Sequence, residues 1–354
     1  MKKNGIREYG IRIGQLTPGK NNSITDVEGV LVGHCTIAED NIRTGVTAVL
    51  PHGGNLFREK VAAACYVING FGKTVGTLQI EELGTIETPI VLTNTLSVGT
   101  AYEALVEYML EQNEDIGIST GTVNPVICEC NDGYLNDIRG LHVKKEHVFE
   151  SIRSASPCFE EGAVGAGTGM SCFSLKGGIG SASRLIKLDD EDYTLGVLVL
   201  SNFGVKEDLM LDGMKARNIV MKKQEVKEED KGSVIIIIAT DIPLSERQLK
   251  RVSKRAVVGL SRLGSFLGNG SGDVVISFST ANMIKHYEKQ DIIDIKMINE
   301  DKINYLFRAA AEAVEESVLN SMVASDAVTG RNGNARETLK SILMEYNRNG
   351  GVNV

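Results

Sequence analysis

Residues 233–241 read Ser-Val-Ile-Ile-Ile-Ile-Ala-Thr-Asp, an aliphatic run with no polar interruption. Side chains on a strand alternate between its two faces, so an all-apolar strand must bury both of them. A chain carrying such a strand needs a packed layer on each side of its sheet. The run is far too short for a bilayer, which needs roughly 20 apolar residues, and no other stretch approaches that length. No membrane role is expected.

Other segments repeat the pattern. Residues 24–50 read as short strands, ITDVEGVLVGHCTI and then TGVTAVLP, bounded by Gly and Pro. VAAACYVI (61–68) reads as a buried strand entering the turn Asn69-Gly70-Phe71-Gly72, and TPIVLTNTLSVG (88–99) as another ending in small polar residues. VNPVICECNDGYLNDIRG runs from strand into a polar turn, and YTLGVLVLSNFG (193–204) is a strand with Asn202 at its carboxyl end. Helical spacing marks residues 101–112, burying Ala101, Leu105, Tyr108 and Met109. A second helix, 245–264, turns Leu249, Val252, Ala256 and Leu260 away from a basic face. A third, 303–325, turns Leu306, Ala310, Ala313, Val314 and Leu319 inward. Residues 222–232 read as a solvated loop.

The 38 glycines, against 6 prolines and no tryptophan, imply many tight turns and close backbone approaches, which favours a sheet-rich α/β protein over a helical bundle. The glycine-rich stretch 162–180 lacks the GK[ST] ending and the strand–GxGxxG–helix context of a phosphate loop, and reads as a loop framing a hairpin. With no repeat and no linker, the expectation is one continuous body over residues 1–354, with antiparallel strands in layered sheets flanked by helices.

A net charge of −8 and the absence of a Lys/Arg-rich stretch argue against nucleic acid as a partner. The N-terminal MKKNGIREYG has no apolar segment behind its lysines, so it does not read as a secretory signal, and a cytoplasmic location is expected. Six cysteines then imply reduced thiols. Cys128 and Cys130 would share one face of a strand, without a second pair to complete a metal site, and read as core packing. His34, His52, His142, His147 and His286 are scattered without ligand spacing.

The chemistry concentrates at Gly-Asn-Gly-Ser-Gly-Asp, residues 268–273. A serine hydroxyl is a weak nucleophile and needs a base. No histidine partner is evident for Ser271, and the G-x-S-x-G elbow does not fit because positions 269 and 273 are Asn and Asp. A serine at the start of a chain carries its own base, an α-amine of pKa roughly 7.7–8.0. That state requires cleavage of Gly270–Ser271, and Gly270 leaves its carbonyl carbon open to attack. The same residues also suit a plain hairpin turn, for which Asn-Gly is the commonest pair. Pattern alone leaves both open.

Several blocks tip the balance. NSITDVEGVLVGH (22–34), EELGTIETPIVLTNTLSVGTA (81–101), ECNDGYLNDIRGLHV (129–143), KGGIGSASR (176–184), GVLVLSNFG (196–204), ATDIPLSERQLKR (239–251), GNGSGD (268–273), AVEESVLNSM (313–322) and TGRNGN (329–334) stand in one order. With them the chain resembles, over nearly its whole length, the L-aminopeptidase/D-esterase (DmpA-like) family, which includes the β-peptidyl aminopeptidases. The resemblance implies an α/β fold, a layered α-β-β-α sandwich shared with the ornithine acetyltransferases, similar in layering to the N-terminal-nucleophile hydrolases but different in strand connectivity. It implies self-cleavage at Gly270–Ser271 into chains 1–270 and 271–354, and tetramers of such pairs.

It also implies roles. Ser271 is the nucleophile of both maturation and turnover, Asn202 and Tyr134 are oxyanion donors, and Glu315 holds the Ser271 amine or relays its proton. Some relatives carry a serine two positions before that glutamate, where this chain has Ala313, which removes one hydroxyl from the proton path. Glu316 is the neighbouring rival to Glu315. An aminopeptidase must also bind a free ammonium, a task for a carboxylate. Glu129, and after it Asp132, are the candidates. The expected reaction is acyl transfer from small peptides, amides or esters, needing no metal or cofactor. Two rivals stand beside it: a self-cleaving acyltransferase of the ornithine-acetyltransferase type, and an uncut, non-catalytic homologue.

Overall fold

The computed structural model describes residues 5–211, 213–215 and 232–348. The predicted loop 222–232 lies outside them except for Gly232.

Two sheets stack face to face. The first has four strands in the order β1 (Leu31–Glu39), β2 (Ile42–Leu50), β5 (Ile90–Asn94), β6 (Val126–Cys130). The second has six: β4 (Thr85–Ile86), β3 (Glu59–Gly70), β14 (Gly272–Lys285), β13 (Ser233–Thr240), β10 (Glu191–Asn202), β9 (Gly178–Leu188). Short hairpins β7 (Ser171–Cys172) with β8 (Leu175–Lys176), β11 (Met210–Leu211) with β12 (Met214–Lys215), and β15 (Val328–Thr329) with β16 (Ala335–Arg336) decorate them. The expected antiparallel pairing holds for most neighbours, but β5–β6 and β13–β14 are parallel, so both sheets are mixed. The sequence missed this because register and direction depend on partners far along the chain.

The Ile run behaves as its composition demands. Ile235 and Ile237 pack between the sheets with Leu92, Cys128 and Cys130 of the first. Val234, Ile236 and Ile238 face the other way, against Leu249, Leu260, Leu306 and Val314 of the helices. On the far side of the first sheet, Val46, Ala48 and Ile127 pack under α2 (Val98–Gln112) and α3 (Lys145–Arg153), while α1 (Thr77–Leu83) lies beside β3. Helix, sheet, sheet, helix is the resulting order.

The predicted helix 245–264 is two helices, α4 (Glu246–Ser253) and α5 (Ala256–Arg262). Ser253 Oγ donates back to the Leu249 carbonyl (3.0 Å) and reaches Ser277 Oγ in β14 (2.8 Å). Such back-bonding bends helices, and here the chain tightens at Arg255, whose N–H turns to Val252 instead of Arg251. In α2, Tyr108 is half-buried and Ala104 fills the core position instead. The third helix, α6 (Asn304–Ala324), buries every residue from 309 to 324, including Glu312, Glu315 and Glu316. A last helix, α7 (Leu339–Arg348), follows β16.

Register places the site. Asn202 pairs with Ser233 across β10 and β13, Ser233 with Gly272 across β13 and β14, and Gly272 with Gly70 across β14 and β3. The carboxyl ends of β3 and β10 thus meet the amino ends of β13 and β14 at one rim. Cys130, at the end of β6, reaches the Leu200 carbonyl with its thiol, so the first sheet contributes to the same rim.

Candidate active site

Ser271 immediately precedes β14 and is 1% exposed. Its N–H donates to the Gly268 carbonyl (2.9 Å), closing a turn that holds the Gly270–Ser271 bond. Asn69 fixes that turn from the end of β3. Its side-chain amide donates to the Gly268 carbonyl (2.9 Å) and to the Ser271 carbonyl (2.6 Å). The Phe71 N–H also reaches the Ser271 carbonyl (3.3 Å). A register shift in β3 makes this alignment: Val274 pairs with Val67 but Asp273 with Asn69, so one extra residue carries Asn69 to the turn. Gly272 must be glycine, since a Cβ there would lie 2.8 Å from the Phe71 carbonyl oxygen.

The Ser271 hydroxyl donates to Asp273 Oδ1 at 2.6 Å, and Asp273 is fully buried. Sequence reasoning singled out neither Asp273 nor Asn69. A usable signal existed for the first: residues i and i+2 of a strand point the same way, and Asp273 stands two after Ser271. For Asn69 the signal is non-local and lies in the bulge.

Glu129, the first candidate for binding the substrate ammonium, is 4% exposed near the end of β6. Its carboxylate accepts from the Lys73 N–H (2.9 Å) and from the Thr95 hydroxyl. Across Gly72 it faces Gly272, the residue after Ser271: a Cβ on Gly72 would be 3.5 Å from Glu129 Oε1 and 3.7 Å from Gly272 Cα. Asp132 is placed differently. It accepts from the Asn136 amide (3.0 Å) inside its own loop, and burial pushes its carboxyl up to about 7.

Asn202 stands two strands from Gly272, roughly 10 Å at ordinary strand spacing. Its Nδ2 donates to the Asn131 carbonyl (3.0 Å) and its Oδ1 accepts from the Ser171 N–H (2.8 Å). Tyr134 is 41% exposed, with the Arg336 guanidinium 3.8 Å from its ring centre. Arg336 Nε donates to Ser171 Oγ (3.1 Å), so Tyr134 and Asn202 belong to one connected group. The Asn334 amide, from the TGRNGN block, holds the Tyr134 carbonyl (2.8 Å).

Beneath Asn202 the glycine-rich loop is pinned from inside. Fully buried Lys176 donates through Nζ to the carbonyls of Gly167 (2.9 Å), Met170 (2.8 Å) and Gly177 (2.7 Å).

On α6 the two rival glutamates separate. Glu316 accepts from Arg7 Nε (2.6 Å), Arg184 (2.7 Å) and Asn22 (2.6 Å), within a network that also joins Arg184 to Glu312 (3.2 Å). Burial alone would raise the Glu316 carboxyl, but the Arg7 hydrogen bond and the Arg184 charge outweigh it and hold the pKa below the usual value. Glu316 is therefore committed to structure. Glu315 accepts from Arg262 at 3.3 Å and remains the candidate on this helix. Ala313 packs into the core against the sheet.

The profile of peptidase family S58 matches residues 22–336. A β-peptidyl aminopeptidase, BapA, from Sphingosinicella microcystinivorans is 39% identical over 361 residues, covering 94% of this chain and 90% of its own. The crystal structure of a Pyrococcus horikoshii protein superposes with a TM-score of 0.93 at 53% identity, covering 99% of this chain and 100% of that one. The L-aminopeptidase D-Ala-esterase/amidase of Ochrobactrum anthropi, described as a prototype of the serine aminopeptidases and a variant of the Ntn hydrolase fold, gives 0.90 at 34% identity, over 98% and 99% of the two chains. The chain belongs to peptidase family S58 and is an aminopeptidase.

Proposed function

We propose that the protein cuts its own Gly270–Ser271 bond and then uses Ser271, with its newly freed α-amine, to release N-terminal residues from small peptides, amides or esters. The observation that carries the reading is the buried Ser271, locked in a turn at the start of a central strand in a chain 39% identical to a β-peptidyl aminopeptidase. In turnover the amine takes the hydroxyl proton while Oγ attacks the substrate carbonyl. The amine then protonates the leaving nitrogen, and water releases the acyl group. An α-amine of pKa roughly 7.7–8.0 suits both transfers at neutral pH.

Asn202 and Tyr134 stabilise the oxyanion; the Asn202 Nδ2 has a second hydrogen beside the one it gives to the Asn131 carbonyl. Glu129 receives the substrate ammonium; its place across Gly72 from Gly272 favours it over Asp132, whose carboxylate is engaged inside its own loop. Glu315 orients the Ser271 amine. The working particle is a homotetramer of cleaved pairs in the cytoplasm. Exposed Leu78, Ile118 and Ile292 leave apolar surface for such association, and no described helix is long and apolar enough to cross a membrane.

Intact-mass measurement tests the core of this. The wild type should resolve into two chains and Ser271→Ala should stay whole at 38.2 kDa. A panel of aminoacyl p-nitroanilides bearing L-, D- and β-residues then reads acyl preference. A wild type that stays one chain and hydrolyses none of them would sink the proposal.

A further inference from the structure

Self-cleavage poses a problem that turnover does not. Before the cut, the Ser271 nitrogen is an amide and cannot serve as a base, so another group must take the hydroxyl proton. We propose that Asp273 is that group, the general base of maturation, an assignment that rests on the self-cleavage reading above.

Three observations support it. The Ser271 hydroxyl already donates to Asp273 Oδ1 at 2.6 Å, within the range for a hydroxyl on a carboxylate. Both residues are buried, Ser271 at 1% and Asp273 at 0% exposure, so bulk water does not compete for the proton. The geometry is also held in place. Asp273 sits in the ladder opposite Asn69, and the Asn69 amide fixes the carbonyls of Gly268 and Ser271 on either side of the scissile bond.

The chemistry balances with one water. Asp273 accepts the Oγ proton as Oγ bonds to the Gly270 carbonyl carbon, closing a five-membered ring of Oγ, Cβ, Cα and N of Ser271 with that carbon. The carbon–nitrogen bond then breaks, and the Asp273 carboxyl returns the proton to the leaving nitrogen. The product is an ester between Gly270 and the Ser271 hydroxyl, with a free α-amine. Water hydrolyses the ester, leaving a Gly270 carboxylate and restoring the hydroxyl. Thereafter the amine is available as base.

The test is the cutting rate of the full chain, followed by intact mass with and without hydroxylamine, which cleaves the ester but not the amide. Asp273→Asn should slow cutting at least about 100-fold, the usual range for a lost general base, and hydroxylamine should not restore it. Asp273→Glu, which keeps the carboxylate, should recover part of the rate. Circular dichroism and the thermal midpoint, compared with uncut Ser271→Ala, establish folding; should Asp273→Asn not fold, Asp273→Ser is judged by the same criterion. A folded variant that cuts at the wild-type rate, or that hydroxylamine cuts as fast as wild type, overturns the proposal. A wild type that never cuts instead overturns the self-cleavage reading, so the two failures are distinguishable.

Discussion

At the scale of single residues, the hydrogen bonds that Asn202 and Glu129 already make set what substitutions should do. Asn202 holds the Ser171 N–H and the Asn131 carbonyl in the uncut chain. Its Nδ2 is an amide donor at the rim of the sheet, and losing one oxyanion donor costs about 10²–10³ in kcat. Asn202→Ala should therefore cut kcat by that factor in steady-state assays with little change in KM; a rise in KM alone would remove it from the oxyanion role. Glu129 predicts the opposite split. Glu129→Gln keeps the shape but loses the charge proposed to meet the substrate ammonium, so KM for aminoacyl substrates should rise at least about tenfold with kcat less affected. Equal loss on an ester lacking the amine would show that Glu129 instead shapes the rim. The turn around Ser271 has a local, glycine-flanked signature, although that pattern alone fits a plain hairpin turn equally and only the resemblance singled the serine out. Asn69 has no such signature, because its place depends on a bulge that brings it beside a turn 200 residues later.

At the scale of elements, the sequence was read well where periodicity decides and poorly where charge is buried. The Ile run of β13 and the inward stripe of α6 follow from alternation and helical spacing, and both are found where expected. The burial of Arg184 and Lys176, and the ion network that ties Arg184 to Glu312 and Glu316, were not anticipated, because a buried charge network has no local signature. Lys176 shows the physics. Burial pulls its pKa down to about 7, yet three carbonyl acceptors call for three N–H donors, the complement of the ammonium form. Lys176→Met would strand those carbonyls and should lower stability by about 2–4 kcal/mol, read in urea unfolding, because buried unsatisfied groups cost about 1–3 kcal/mol each and the loop can relax in part. The Glu316 network gives a pH signature. Its cations hold the folded-state pKa below the ordinary 4.5, so its stabilisation is present above that value and is lost as pH falls through the lower, folded-state pKa. The gap in unfolding free energy between wild type and Glu316→Gln should therefore be largest near pH 7 and shrink steadily below about pH 4.5; a gap constant down to pH 3 would mean that shape, not charge, matters there.

At the scale of the whole molecule, the position of the proposed cut decides what the two chains do afterwards. The bond lies at the boundary of β14, and β14 is an interior strand. It pairs with β3 on one side and β13 on the other, both contributed by residues 1–270. The segment after it supplies α6, buried without interruption over residues 309–324 and tied to the other chain through Arg7 and Arg184. Cutting therefore frees an amine at the rim without freeing a domain. Removing residues 271–354 would split the six-stranded sheet and bare the apolar faces of β10, β13 and α6 at once. At about 25 cal/mol per Å² of apolar surface, such exposure is prohibitive in water. The cleaved pair should thus elute as one particle in native size exclusion and native mass spectrometry, and part only under denaturant, in a transition where both chains unfold together. Separation of the 271–354 chain in native buffer, with the remainder still folded, would contradict this account of the sheet.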